Sequence, residues 1–509
     1  MKLKELNLGS IDAKNELLTD TPEERERFIS AFVVPPSLDI NKYISGSRYF
    51  VTGLKGTGKT ALLRYISICI EENTQIGAHF ILFKSQLNED MRKDFTRAGR
   101  ESTVETNTND FPSDDYESVW RWFIYRKILS ICGSGDFELF QKNHEYEIFS
   151  SLILSPIEEQ SRSIKNLIPK LKKGNIEISK DPKILFDFEW DSSGKTQLQF
   201  NKLVEKADDA FEALLPGHDR VNLFFDELEL NNNTKKQYER DSKLIRDLIV
   251  TIEKINASFK KRGISITLYA AIRSEVQNSV RALGKEINKS LGDFGTEIVW
   301  SRAGIDLNKQ PLLNVITKRL HSNIIPPTEY KESHAEEVWN KFFTTSIQGR
   351  DIREYILHNS WYRPRDIVRL LKIAQDQHPE EESFKHHVFD SIRKKYSEQS
   401  WIEITEELKT KYKDNEIEAI KRLLYGFKQY FSFVELRERA ETQSELYMEV
   451  SDFLKQRKVQ EVLSDLYRVG VIGNYKEKQF RFSFRGDDEI LLEQQCFVHH
   501  ALKAHLSIQ

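Results

Sequence analysis

The segment from Tyr49 to Thr60 constrains the fold of this chain more than any other part of the sequence. It begins with a run of β-favouring residues, and helix-forming residues follow it. Gly53, Gly58 and Lys59 occupy, together with Thr60, the fixed positions of the pattern Gly-x4-Gly-Lys-Ser/Thr. Between a strand and a helix, this pattern predicts a loop that binds phosphate groups. The alternative is a chance match in a glycine-rich turn.

The chemistry of this segment follows from its residue types. Glycines allow the backbone to approach a polyphosphate closely with several N–H groups directed at it, and the helix N-terminus adds partial positive charge. Lys59 is expected to reach the β- and γ-phosphates, and the Thr60 hydroxyl to hold Mg²⁺. The residues therefore predict a bound polyphosphate and Mg²⁺. The residues predicted to bind them form the glycine loop: Gly53, Lys55, Gly56, Thr57, Gly58, Lys59, Thr60 and Ala61.

A strand that ends in two acidic residues is predicted at 221–225. Its residues are mostly apolar, as in a central strand of a parallel sheet, and Asp226 and Glu227 follow it. Parallel sheets bind ligands at the carboxyl ends of their strands. Asp226 is therefore predicted to take Mg²⁺, directly or through water. Glu227 is predicted to be the general base that polarises an attacking water; the alternative is an ordinary acidic strand end.

Two arginines complete the predicted site. Arg273 follows the β-branched run 264–272, so we expect it at a strand tip that faces the γ-phosphate. Arg365 follows Pro364 at a predicted helix start, where its charge opposes the helix dipole and favours an anionic partner such as a phosphate. The alternatives are a surface arginine after a strand and an ordinary arginine-rich helix start.

Composition narrows the class of protein. The formal net charge is −3 over 509 residues, so any nucleic-acid site must be a local patch. No uncharged apolar run approaches ~20 residues, which argues against a membrane span, and the N-terminus lacks the apolar segment of a signal peptide. The three cysteines are scattered without metal-binding spacing, which indicates a reducing compartment. We expect a cytoplasmic protein with no membrane contact.

The order of the motifs predicts an α/β fold with a parallel sheet flanked by helices. The glycine loop and the acidic pair are too far apart to be joined by a loop, so a mostly helical insertion is expected between them. The lysine-rich run 157–183 indicates a solvated face or, alternatively, nucleic-acid contact. The predicted parts are an N-terminal arm at 1–45, a nucleotide-binding core at 46–304 with its insertion at about 85–215, an all-helical lid at 305–405 and a final domain at 410–509.

The final domain has helices followed by a hairpin, a pattern typical of a winged helix. Residues 480–485 alternate apolar and polar side chains, as an antiparallel strand does. The hairpin carries several cations that would make it basic: Lys476, Lys478, Arg481 and Arg485. The helix before it is mixed in charge, however. Nucleic-acid contact and a protein-docking or structural role therefore both stay open.

These motifs, in this order, resemble AAA+/STAND-type P-loop ATPases that end in a winged helix. More narrowly, the Gly-x-Lys-Gly-x-Gly-Lys-Thr form of the loop is similar to that of bacterial ATPases associated with DNA repair or anti-phage defence. The resemblance implies that Asp226 and Glu227 are the Walker B pair and that Arg273 and Arg365 are sensors 1 and 2. Many AAA+ members have Asn or Thr at sensor 1, so Arg273 departs from the usual pattern. Candidates for an arginine finger are only nearby in sequence: Arg281 and Arg302.

The resemblance implies an ATPase that acts as a nucleotide-dependent conformational or oligomeric switch, converting ATP and water to ADP and phosphate. STAND-type members often hydrolyse slowly, so turnover that depends on a partner is expected. The expected catalytic residues are Lys59, Glu227, Arg273 and Arg365. The expected partners are further copies of the chain and a protein effector. The alternatives are an ATP-bound assembly scaffold without turnover and a DNA-binding motor or loader.

Overall fold

The computed structural model describes most of the chain. The described residues are 1–74, 77–87, 89–101, 116–133, 137–154, 175–179, 195–230, 234–281, 283, 287–302, 304–324, 334–409, 411–477, 479–487 and 489–509. Lys478 and nearly all of the lysine-rich run 157–183 lie outside them.

The described α-helices and β-strands alternate through the first half of the chain, and helices predominate after residue 300. The helices are α1 (Pro22–Ala31), α2 (Ile40–Ile44), α3 (Lys59–Thr74), α4 (Phe83–Gln86), α5 (Glu89–Glu101), α6 (Glu117–Cys132), α7 (His144–Leu154), α8 (Phe200–Glu212), α9 (Lys235–Arg262), α10 (Ser274–Arg281), α11 (Ile287–Phe294), α12 (Leu313–His321), α13 (Ala335–Phe342), α14 (Ile352–His358), α15 (Pro364–Gln377), α16 (His386–Leu408), α17 (Asp414–Leu424), α18 (Phe433–Leu446), α19 (Met448–Gln456) and α20 (Val459–Arg468). The strands are β1 (Phe50–Gly53), β2 (Ala78–Leu82), β3 (Asn175–Ser179), β4 (Lys195–Gln199), β5 (Val221–Leu228), β6 (Ile266–Arg273), β7 (Gly295–Glu297), β8 (Ser346–Ile347), β9 (Arg350–Asp351), β10 (Tyr430–Phe431), β11 (Ile472–Lys476), β12 (Gln479–Arg481) and β13 (Gln495–Val498).

Contacts divide the chain into two compact units. The sheet unit consists of residues 38–53 and 62–297, and the helical unit consists of residues 1–37, 54–61 and 298–509. Most of the glycine loop thus groups with the C-terminal helices, whereas the strand before it belongs to the sheet unit.

The sheet unit contains a five-stranded parallel sheet in the order β2-β5-β6-β1-β7. Residues 221–226 of β5 and all of β1 are buried, as expected for strands covered by helices on both faces. Because the strands are parallel, their carboxyl ends lie at one edge. Gly53 pairs with Arg273 there, and Leu82 pairs with Asp226. The predicted α/β architecture with flanking helices is therefore confirmed.

A buried asparagine of α9, Asn256, hydrogen-bonds to β6 at a point that the neighbouring strand β1 does not reach. β1 pairs with β6 from Ala270 onward, so Leu268 lies before that pairing begins. The Asn256 side-chain amide donates to Leu268 O at 2.9 Å, and Leu268 N donates to Asn256 Oδ1 at 2.9 Å. Both backbone groups of this buried residue are thereby satisfied.

The described part of the insertion consists of α4–α8 and the β3–β4 hairpin. The stretch 86–115 is expected from its polar composition to include exposed loop, but α5 occupies its first part. Met91 and Phe95 are buried one turn apart, and the Phe95 ring lies 4.8 Å from that of Trp120. Apolar residues at helical spacing, together with the buried ion pair of Arg92 with Asp241, therefore pack this charged segment as a helix.

In the helical unit, the N-terminal arm packs on the end of α15 and the turn that follows it. Lys2 and Lys4 each place Nζ 2.6 Å from Glu380 carboxylate oxygens. Leu3 N donates to the Glu381 carbonyl, and Gln375 Nε2 donates to Leu6 O at 2.7 Å. The arm is thus attached to the helices through backbone groups as well as exposed ion pairs.

The C-terminal region is mostly helical and ends in a four-stranded antiparallel sheet in the order β10-β13-β11-β12. The predicted hairpin is present as β11 and β12, with Asn474 opposite Arg481. The second strand was expected to continue to Arg485, but it ends at Arg481 and a short 3-10 helix, Ser483–Arg485, follows it. In the part of the chain that the structure describes, no helix has the length and apolarity to cross a membrane.

Replacing Asn256 by alanine is expected to destabilise the sheet unit. The change leaves the N–H and C=O of Leu268 buried without their partners, and we expect a loss of about 3 kcal/mol in the free energy of unfolding. Urea denaturation and hydrogen exchange of the Leu268 amide measure this loss. Lys260→Ala on an exposed position of the same helix is the control and should change stability little. Equal stability of both variants would contradict the assigned role.

Candidate functional site

The glycine loop has the local geometry that its sequence requires. Gly56 and Gly58 have φ angles of 84° and 98°, a region that L-residues with side chains rarely adopt. The Thr57 hydroxyl donates to Leu54 O at 2.9 Å, and the Lys59 amine donates to the same carbonyl at 2.8 Å. Lys59 is 8% exposed, so this charged amine is held inside the loop by a backbone oxygen.

The start of α15 contacts the loop backbone. Arg363 Nη1 donates to Lys55 O at 3.1 Å, and Arg365 N donates to Gly56 O at 3.4 Å. A Cβ atom placed on Gly56 would lie 3.3 Å from Cβ of Arg365. Gly56 is therefore required both by its φ angle and by the close approach of the helix.

Trp300 supplies a third contact to the loop. Its indole Nε1 donates to Thr57 O at 2.9 Å, and the side chain is buried. β7 ends at Glu297, and Trp300 lies beyond it. A lone tryptophan gives no sequence signal for this role, because its partner is a backbone carbonyl far away in the sequence.

Carboxylates of α16 contact the cations of the loop and of α15. Glu403 Oε1 lies 3.1 Å from Arg365 Nη1 and 4.0 Å from Lys55 Nζ. The other carboxylate oxygen of Glu403 forms a short ion pair with Arg369. Glu406 lies 2.6 Å from Lys55. Arg365 thus has an anionic partner within the chain, a carboxylate that sequence reasoning missed, and its contact with a phosphate stays a prediction.

Burial and charge act in opposite directions on Glu403. Removal from water alone would raise its pKa, but the positive charges of Arg369, Arg363, Arg365 and Lys55 outweigh this and lower the pKa well below its usual value. Glu403 is therefore ionised at neutral pH and neutralises the surrounding cations.

Arg363 is buried, and its position is fixed from within its own helix turn. Its Nε lies 2.8 Å from Asp366 Oδ2. Asp366 Oδ1 lies 2.8 Å from Arg369 Nη2, and Asp366 Oδ2 accepts a hydrogen bond from Trp361 N at 3.1 Å. Tyr362, just before this turn, has a φ of 51°. The chain therefore makes a strained turn that presents the start of α15 to the loop.

In the sheet unit, a β-bulge lies at the acidic end of β5. Phe225 pairs with Ala270 and Leu228 with Ile272, so β5 contains one residue more than β6 over this interval. Glu227 lies in the bulge with a φ of 56°, whereas Asp226 is buried. Bulges redirect side chains, and strained backbone is concentrated at functional positions.

Ser85, one turn after β2, holds the Glu227 carboxylate. Its backbone N donates to Glu227 Oε2 at 3.1 Å, and its hydroxyl forms a short hydrogen bond to the same oxygen. The Glu227 backbone N in turn donates to Asp226 Oδ1 at 2.8 Å. Ser85 was not singled out in the sequence, because only strand pairing brings it beside β5.

Arg273 is the last residue of β6 and is 23% exposed along its side chain. It forms a short ion pair with Glu229 and lies 3.5 Å from Glu275. The parallel sheet therefore brings three of the predicted residues, Asp226, Glu227 and Arg273, to one edge, next to the end of the strand that leads into the glycine loop.

Other predicted residues lie elsewhere. Arg302 is exposed, and Arg281 ends α10. In the predicted wing, Arg481 lies 2.9 Å from Asp487, and the Arg485 guanidinium lies 5.2 Å from the centre of the Tyr362 ring. These two arginines are therefore engaged within the chain, which weakens the case for a basic wing that contacts nucleic acid.

The residues predicted to hold Mg²⁺ offer oxygen ligands. Among the described residues, no group of three or more His, Cys, Asp and Glu side chains could hold a metal ion. Mg²⁺ is commonly bound by one or two protein oxygens together with phosphate groups and water. The hydroxyl of Thr60 and the carboxylate of Asp226 are oxygen ligands of this kind.

Comparison with known families identifies one part of the chain. Residues 310–405 match the family FunZ_C, the FunZ-associated C-terminal helical domain. This region contains α12–α15 and most of α16, including Arg365 and Glu403. No curated protein matches the chain. The helical domain and the central parallel sheet together fit an α/β NTPase-like fold.

The strained backbone at Glu227 gives a test of the bulge. Glycine adopts its φ of 56° without strain, whereas alanine does not, so we expect E227G to be more stable than E227A by about 1 kcal/mol. Both variants lose the carboxylate, and their difference in urea denaturation isolates the backbone effect.

The matched control is Glu229, which has no positive φ. At this position glycine is expected to be less stable than alanine by about 0.5–1 kcal/mol. If alanine were as stable as glycine at position 227, the bulge would not be strained as described.

Proposed function

We propose that this protein is an ATP- and Mg²⁺-dependent ATPase that acts as a nucleotide-dependent switch. The observation that carries the proposal is the arrangement of strand ends in the parallel sheet. β1 leads into the glycine loop, the neighbouring β6 ends in Arg273, and β5, next to β6, ends in Asp226 and Glu227. Ligands of such sheets bind at the carboxyl ends of the strands, where these groups lie.

The glycine loop is proposed to bind the phosphates. The first N–H groups of α3 have no partners within their helix, and they start directly after Gly58. The buried amine of Lys59 donates to a backbone carbonyl, Leu54 O, and a phosphate oxygen is a stronger acceptor for the same proton. Bound ATP would supply the phosphoanhydride bond to be cleaved.

Thr60 and Asp226 are proposed to hold Mg²⁺, and Glu227 is proposed to accept a proton from the attacking water. The bulge and the two hydrogen bonds from Ser85 fix one oxygen of the Glu227 carboxylate. The Glu227 carboxylate, held in this way, is the group proposed to contact the attacking water. Ser85 positions the base and is not itself proposed to touch the nucleotide.

The lid helix α15 is proposed to transmit the nucleotide state. Arg363 and Arg365 already hold the backbone of Lys55 and Gly56, so a change in the loop must move the start of α15 or break these bonds. Arg365 is proposed to sense the γ-phosphate, and Arg273 to stabilise charge at the sheet edge. Movement of α15 would be passed to the C-terminal region.

The switch is proposed to control a protein effector and to change the assembly state of the chain. The setting proposed from the sequence resemblance is bacterial anti-phage defence or DNA repair. Mass measurement with and without a non-hydrolysable ATP analogue tests whether nucleotide changes assembly.

Lys59→Ala is expected to weaken ATP binding by about 100-fold or more, because the variant removes a charged donor to the phosphates. Calorimetric titration with ATP and Mg²⁺ measures the dissociation constant. Lys42→Ala, at an exposed lysine of the sheet unit, is the control and should bind like wild type. Equal affinity of K59A and wild type would remove the loop from the binding site.

Glu227→Gln is expected to bind ATP with nearly wild-type affinity and to lower turnover by about 100-fold or more, because the amide cannot accept the proton from water. Steady-state phosphate release measures this. Wild-type turnover in E227Q would make the general-base assignment wrong. ATP binding without phosphate release by wild type, with every candidate partner, would instead indicate an assembly scaffold.

A further inference from the structure

We propose that Glu403 and Glu406 form a carboxylate latch that competes with the nucleotide phosphates for the cations of the glycine loop and of α15. This inference rests on the proposed function and concerns the regulation of the same site. The latch consists of Glu403 and Glu406 on α16 and of the cations that they contact, Lys55, Arg365 and Arg369.

The spacing of the latch residues follows from helix geometry. Glu403 and Glu406 are three residues apart on α16, so they lie on one face. Arg365 and Arg369 are four residues apart on α15 and also share a face. The two helices pack together, and Lys55 of the loop contacts the carboxylates of both Glu403 and Glu406. A single glutamate, Glu403, therefore joins the loop to the lid.

Charge in this cluster is matched within the chain. Its cations are Lys55, Arg363, Arg365 and Arg369, and its carboxylates are Asp366, Glu403, Glu406 and Glu407. Arg363 and Asp366 are buried and hold the turn before α15. A triphosphate in the loop would add negative charge to a cluster that is already matched. Repulsion between phosphate and the α16 carboxylates then favours their release from Lys55 and Arg365.

The consequence is a switch with two alternative sets of ion pairs. The ion pairs of Glu403 with Arg365 and Lys55 hold the lid against the loop. With nucleotide, the phosphates take over Lys55 and Arg365, which loosens the contact of α16 with the loop and with the start of α15, whereas Arg369 stays paired with Glu403. The latch therefore lowers nucleotide affinity and stabilises the nucleotide-free protein at the same time.

The test measures these two effects in the full chain. Glu403→Gln is expected to lower the thermal midpoint of the nucleotide-free protein and yet to tighten ATP binding by about tenfold, because the competing charge is gone. A purely structural role would lower stability and weaken binding together. Calorimetric titration with ATP, tripolyphosphate and adenosine locates the effect: binding of ATP and tripolyphosphate should tighten, and binding of adenosine should not change.

A second variant covers the case in which E403Q does not fold. Glu406 is 59% exposed and contacts Lys55, so Glu406→Gln should fold normally and tighten ATP binding by about two- to threefold. Glu398→Gln, at an exposed glutamate of the same helix, is the matched control and should bind like wild type.

The outcomes separate the latch from the proposed function. If wild type binds ATP and K59A does not, but E403Q and E406Q bind no more tightly than wild type, the latch is wrong and the function stands. If neither wild type nor any variant binds ATP or tripolyphosphate, both are wrong. Tighter binding confined to the two latch variants supports the latch.

Discussion

The proposed switch depends on the contact between the glycine loop and the first turn of α15. Two backbone carbonyls of the loop, those of Lys55 and Gly56, accept hydrogen bonds from Arg363 and Arg365. Because the contact involves backbone atoms and a glycine that the Arg365 side chain approaches closely, a change in the shape of the loop affects the helix. The glycine loop is thereby coupled mechanically to the helical domain that matches FunZ_C.

The charges around this contact favour a negatively charged ligand. The arginines at the start of α15 are unfavourable to the helix dipole by themselves, and they are stabilised by carboxylates of their own turn and of α16. The same positive charges suit a phosphate ligand. We propose that a ligand makes these cations exchange their internal partners, and such an exchange is a physical basis for a switch.

The sequence predicted the local features well and the long-range ones poorly. The strand with Asp226 and Glu227 followed from an apolar run, and the sheet confirms that it is a central parallel strand. The bulge at Glu227 and the hydrogen bonds from Ser85 could not be foreseen, because they depend on strand pairing between distant segments. Glu403 was missed for the same reason: a glutamate on a charged helix has no signal until the helix that it faces is known. The roles of the predicted site residues stay predictions.

The proposed function requires that nucleotide affects both the glycine loop and the acidic end of β5. Hydrogen–deuterium exchange of wild type, with and without a non-hydrolysable ATP analogue and Mg²⁺, tests it most directly. We expect slower hydrogen–deuterium exchange in both segments, 54–61 and 226–229, at the same nucleotide concentration. Protection of neither segment, or of the loop alone while the end of β5 exchanges as before, would contradict it.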